Sequence, residues 1–379
     1  MNIARRFKYL IVSIIAFLVV GFYYLVAFNL SFMGPVKNAL NNFSMTDIYN
    51  QIQQSMGVAD TCRFITIVDM TDLPNREFIA SGLQDIMDYD PKAVGIDIVF
   101  EGLKPDTASD MWLMDIAKNY PQITWSFKLM DFDPTEQDYK GEVHSFFAWE
   151  AAPKEGFTNM PRDLYEGVKL KTPVGRTLNG EMVTSWVNSV ADTYAGGQVM
   201  PITVKDININ FRHSEFPCLH ASEVVDHPEL IKDHIVLYGT MKEETDMHYC
   251  PLGKIAGVEL LAYAVKTIVT GTNLKYFPWY FDVLMSLLLV AFTSWLIASY
   301  GRWANAHIKN DYLRTFMTSA IVTGFITFVW MAFLTYIGFV VFALFSYSLN
   351  FGWAFSGIAF RFTAENFYRV IFEPDHKKS

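Results

Sequence analysis

The 379-residue sequence predicts an α/β protein. It reads as a three-layer domain with a mainly parallel sheet, preceded by one transmembrane helix and followed by three. Two observations carry this. Short continuous runs of β-branched and apolar residues, FITIV at 64–68, AVGIDIVF at 93–100 and HIVLYG at 234–239, alternate with stretches of helical periodicity. Runs apolar on both faces suit strands of a parallel sheet covered on both sides. Four segments with almost no charge, residues 9–30, 277–299, 316–336 and 337–360, are each long enough to cross a hydrocarbon core about 30 Å thick. An overall content of 51% hydrophobic residues agrees, because it exceeds the usual level of a soluble domain.

Arg5, Arg6 and Lys8 precede the first apolar run. That run is too long for a cleaved leader and has no small-residue cleavage site after it, so an uncleaved signal anchor is expected. Residues 36–54 predict a juxtamembrane helix. A strand at 64–68 then runs into Asp69, and the helix over 75–90 aligns Phe78, Ile79, Leu83, Ile86 and Met87 on one face before Pro91 stops it. A strand at 94–100, a helix at 110–120 and a strand at 123–127 follow. Strand, helix and strand in this order argue for right-handed crossovers and parallel pairing. Residues 131–197 are rich in Pro, Gly and acids and predict short strands and loops. Residues 201–211 suit one strand or a hairpin, and residues 220–233 a short helix.

HIVLYG supplies another core strand. From Val258 the residues Leu261, Ala262, Val265, Ile268 and Val269 recur at helical spacing, with Gly271 placed for a left-handed cap. The organisation is therefore residues 1–30, a cytoplasmic N-terminus and first membrane helix; 31–276, an exoplasmic domain; 277–360, three membrane helices; and 361–379, a cytoplasmic tail.

Lys and Arg are retained on the cytoplasmic side of short membrane segments. Arg302, Lys309, Arg314, Arg361 and Arg369 fall with the N-terminal cluster on one predicted side. The exoplasmic segment holds 34 of the 39 acids but only 20 of the 30 Lys and Arg, which argues against a nucleic-acid partner. Its three cysteines, Cys62, Cys218 and Cys250, allow one disulfide and one free thiol, with spacing that does not identify the pair. The scattered histidines match no zinc pattern. No nucleophile elbow, phosphate loop or metalloprotease helix is present, so neither enzyme activity nor a cofactor is expected.

Asp97 falls inside an apolar run, where a carboxylate needs a partner. In an open parallel sheet, ligands lie beyond the carboxyl ends of the strands. Asp69, Asp72, Asp97, Thr240 and Asp246 are therefore candidates to converge on one crevice that takes a cation or small ligand. The alternative is that Asp69 and Asp97 cap loops or pair with Arg76.

The ordered pieces resemble the CHASE domain family of the second type, an extracellular sensory domain of bacterial membrane receptors. They are the strand ending in Asp69; Pro74 and Arg76, spaced like the family's Pro-x-Arg segment; AVGIDIVF; ININFR; FPCLHASEVV; IKDHIVLYGT; Asp246 before Cys250 and Pro251; and AGVELLAYAVKTIVTG. The chain reads TDLPNR where the family has a tryptophan-rich approach, and Cys250 stands where Thr is usual. The resemblance adds Arg76 to the candidate ligand residues. It implies a multi-pass plasma-membrane protein with its main domain periplasmic, which detects a ligand or an envelope partner. Family members usually continue into a cytoplasmic effector domain. The short tail here implies signalling through a separate protein partner.

Two other classes of reading stand beside it. One is a structural or scaffolding subunit of an envelope complex. The other is a transporter component, disfavoured because Asp282 is the one ionisable residue in the expected membrane segments. Ala320 and Gly324, and Gly352 and Ser356, have the spacing for close helix packing, within the chain or in a homo-oligomer.

Overall fold

The computed structural model describes residues 6–28, 60–105, 107–161, 169, 171–349 and 351–373. The expected juxtamembrane helix lies outside them. The fold is mixed α/β with a mainly sheet core, in two compact units: Thr46–Leu274, and Met1–Met45 together with Lys275–Ser379.

In the first unit the chain runs β1 (Ile65–Asp69), α1 (Arg76–Met87), β2 (Ala93–Ile96), α2 (Thr107–Asn119), β3 (Ile123–Asp133), β4 (Asp138–Val143), β5 (Glu155–Phe157), β6 (Gly175–Leu178) and β7 (Glu181–Thr184). It continues with α3 (Trp186–Ala195), β8 (Cys218–His220), β9 (Ile235–Gly239), β10 (Met247–Cys250), β11 (Gly253–Ala256) and α4 (Gly257–Thr270). The main sheet has the order β8-β1-β9-β2-β3-β4-β6-β7, with β5 also beside β3. Pairing is parallel from β8 through β3, and antiparallel at β3/β4 and β6/β7.

The apolar runs cover both faces of the sheet, as alternation along a strand requires. Ile65, Ile67, Ile235 and Leu237 join a cluster with Val187 and Val190 of α3 and Val258, Leu261 and Val265 of α4. Val68, Val94, Val236 and Tyr238 join another with Leu83 and Ile86 of α1 and Leu113 and Ile116 of α2. Each such side chain contributes about 1.5–3 kcal/mol by leaving water.

The structure departs from the sequence pattern in specific places. On α1 the buried stripe is Ala80, Leu83, Ile86 and Met87, one face at steps of three and four. Phe78 is five residues from Leu83, rotates off that face and is 51% exposed. The strand expected over 94–100 leaves the sheet after Ile96, where the Asp97 amide still donates to the Tyr238 carbonyl at 3.0 Å. Asp97 is thus just beyond a strand end rather than inside a strand. Residues 131–197 contain α3, begun by the Ser185 side chain accepting from the Asn188 amide and ended by left-handed Gly196. Residues 201–211 give only the strand Asp206–Asn208, paired with Lys171–Pro173. The short helix at 220–233 is two 3₁₀ turns, Ala221–Asp226 and Pro228–Leu230. Gly271 caps α4 at φ 63°, as its position implied. Cys218 is an exposed free thiol, and Cys62 and Cys250 are buried.

In the second unit, Trp279–His307 and Ala320–Phe345 are long and apolar enough to cross a membrane, by length and composition. Helices Lys8–Phe28, Asp311–Met317, Gly352–Ala359 and Arg361–Phe372 accompany them. Residues 316–336 and 337–360 are therefore not two spans meeting at 336. Ser319 caps the start of a helix that runs unbroken to Phe345 and ends at left-handed Ser346. Beyond it, Tyr347–Ser348 pairs with Lys275–Tyr276. On the last helix Arg361 Nε lies 3.7 Å from Glu365 Oε1.

Candidate cavity at the strand ends

The carboxyl ends of β1, β9, β2 and β3 point to one side of the sheet because those strands are parallel. A cavity of about 300 Å³ lies there, bounded by Met70 after β1, Asp97 after β2, Thr240 after β9, Ser126 and Lys128 of β3, and Gly257 at the first turn of α4. Glu243, Asp246, His248, Thr158 and Met160 complete the wall.

Three of the six sequence candidates, Asp97, Thr240 and Asp246, meet in this cavity, and three do not. Asp69 is buried, and its Oδ1 accepts from the Thr71 amide at 2.9 Å and the Met241 amide at 3.2 Å. It ties the β1 turn to the β9 turn, the loop-capping role that was the alternative. Asp72 is exposed on the same turn.

Arg76 is buried beside a second cavity of about 680 Å³. There its guanidinium is held by Asp110 at 2.6 Å and by the carbonyls of Gly102 at 2.9 Å and Glu101 at 3.0 Å. The rings of Phe100 and Phe146 lie 5.5 Å and 5.2 Å from it. Its partner is Asp110, not Asp69 or Asp97, and both Nη1 donors and one Nη2 donor are engaged within the protein.

Asp97 differs from its neighbours. It is half-buried, and among the described residues its carboxylate makes no hydrogen bond or ion pair. Burial first and the nearby Asp246 second push its pKa up to about 7, with His248 and Lys128 pulling the other way. A carboxyl group poised near neutrality in a concave site is a functional-site signature. Beside it, Ser126 is 1% exposed and its Oγ has no hydrogen-bond partner. Asp246 lies 3.4 Å from His248 Nε2. Its carboxylate also rests on Gly257, where the absent side chain gives it room.

Sequence reasoning missed Ser126, Lys128, Glu243, His248 and Gly257. Ser126 and Lys128 are two residues apart on β3, and only its register shows that this strand extends past its neighbours. Glu243 and His248 flank Asp246 in the polar turn after HIVLYG. No group of three His, Cys, Asp or Glu side chains among the described residues is arranged to hold a metal ion.

The family model of the CHASE2 domain matches residues 15–299. No curated protein and no solved structure matches the chain.

Proposed function

The chain belongs to the CHASE2 domain family, a family of extracellular sensory domains, and on that premise we propose that it is a multi-pass membrane sensor. Its α/β domain binds a small ligand outside the cell, and its output passes to a separate protein partner. It is not an enzyme. The observation that carries the reading is the cavity itself, where Asp97 and Ser126, unpartnered among the described residues, share the wall with Gly257, the first residue of α4. α4 ends at Thr270, and only residues 271–278 separate it from the membrane-type helix beginning at Trp279. A ligand that rearranges the wall at Gly257 acts on the helix that leads to the membrane. The two apolar clusters, each shared by the sheet and helices, support the three-layer description.

Four crossings also belong to this reading. Tyr9 Oη lies 3.2 Å from Arg302 Nη1, and Tyr300 Oη donates to the Met317 carbonyl at 3.1 Å. Tyr276 is paired with Ser348 at the opposite helix ends. An up-and-down path through Lys8–Phe28, Trp279–His307 and Ala320–Phe345 fits these contacts. The fourth crossing then begins near Gly352 and carries Arg361 and Glu365, instead of ending at residue 360.

The test is Thr240→Tyr, which fills the cavity, examined in native membranes by partner co-purification and partner output. Retained co-purification with lost or locked output supports the sensor. Unchanged output with the cavity filled refutes it and favours a scaffolding subunit of an envelope complex.

A further inference from the structure

We infer that the cavity takes a small organic cation, an ammonium head held between Asp97 and Ser126 with a short chain against Met70 and Met160. This rests on the sensor reading, and names the ligand class for its site.

Register brings the first two groups together. Ile96 pairs with Trp125 in the parallel ladder, so Asp97 and Ser126 are neighbours one step beyond it. Ser126 lines the cavity, is buried, and its hydroxyl oxygen has no hydrogen-bond partner among the described residues. A hydroxyl there offers its lone pairs to a donor that the protein does not supply. An ammonium carries three donors and a charge, and matches one carboxylate plus one hydroxyl.

The charges of the wall favour this class over an anion. The positive end of α4 would attract an anion, but Asp246 already lies there. A methyl group on Gly257 would come within 2.4 Å of its Oδ2. His248 is engaged by Asp246, and Lys128 is exposed at the rim. Glu243 adds another rim carboxylate. The charges facing Asp97 are thus Asp246 and Glu243 against Lys128 and His248, which with Asp97 itself leaves an acidic interior. A bare metal ion fits poorly, since among the described residues no three ligands converge. The volume of about 300 Å³ sets a small size, at the low end for ligand sites.

Ethanolamine is the probe, and ethylene glycol, its neutral counterpart of similar shape, is the control. The full chain in detergent micelles is followed by thermal unfolding and calorimetry. Ethanolamine binds and stabilises, while ethylene glycol does not. Binding strengthens from about pH 6 to about pH 8 as Asp97 ionises. Asp97→Asn weakens it about tenfold or more, the loss expected for a charge-assisted bond, while Lys128→Met strengthens it. Glycol or acetate matching ethanolamine, or an Asp97→Asn variant that binds as well as the parent, overturns the cation. Thr158→Trp, which fills the cavity from β5's side, separates the two levels. If it abolishes acetate or glycol binding, the cavity remains the sensor site and only the cation fails. If it alters the response to no probe of any class, both fail.

Discussion

Asp246 and Gly257 are packed so closely that a methyl group on the glycine would lie 2.4 Å from Asp246 Oδ2 and 2.5 Å from Oδ1. The contact links the cavity wall to the first turn of α4. Gly257→Ala should therefore push the carboxylate away while improving helix propensity by up to about 1 kcal/mol. Net unfolding free energy should change by less than about 1 kcal/mol, and ethanolamine affinity should fall several-fold. Parent-like affinity with Asp246 unmoved in a structure of the variant would remove this link.

Asp97 gives a pH signature. Its folded pKa of about 7 lies above the ordinary 3.8, so the folded state holds the proton more tightly than the unfolded chain. Stability from this group is present below about pH 4 and declines as the carboxyl ionises on the way to about pH 7. Asp97→Asn should match the parent in acid and exceed it at neutral pH by about 1–2 kcal/mol, allowing for solvent around a half-buried group. Melting temperatures of both proteins across this range measure the gap. A gap independent of pH would show that Asp97 titrates normally.

The legible part of the fold was the part fixed by continuous apolar runs. FITIV, HIVLYG and the Val258–Val269 stripe announced β1, β9 and α4, because burial on both faces or one leaves a simple pattern. Helix α3 was less visible, since Trp186, Asn188 and Ser189 mix polarity on its buried side. Its cues, Ser185 and Gly196, lay in a region dominated by loop-forming residues. The site was half legible. The strand-end rule placed Asp97, Thr240 and Asp246, but Asp69 sits at an equivalent position and is occupied by loop amides. Distinguishing the two needs the register and the turn geometry, which composition does not carry. Arg76 was drawn in by resemblance, and its partner Asp110 lies 34 residues away on another helix.

Arg76 and Asp110 predict a stability phenotype rather than a binding one. Their side chains are 9% and 1% exposed, and removing one member of such a pair strands the other's charge, at a cost of about 3–5 kcal/mol. Arg76→Met should destabilise by about that much, and the Arg76→Met/Asp110→Leu double variant should recover most of it. Urea denaturation of both variants checks this. An Arg76→Met protein with parent stability and lost ligand response would restore Arg76 to the binding site.

Topology is tested with reporters fused after Tyr276 and after Lys378, and with cysteines at positions 310 and 347. The four-crossing reading places position 276 and Tyr347 outside, and Asn310 and the C-terminus inside. Periplasmic reporter activity after Lys378 would contradict it. So would labelling of position 310 from outside intact cells.

The central claim is that the state of the cavity reaches the membrane through α4. Residues 271–278 are the short covalent link between α4 and Trp279–His307. A flexible glycine-serine spacer inserted after Thr272 breaks this route and leaves the cavity and any outer docking surface unchanged. The measurement is partner co-purification and partner output on this one insertion variant. The account predicts retained binding with lost control of output. Retention of both binding and ligand-controlled output would contradict it.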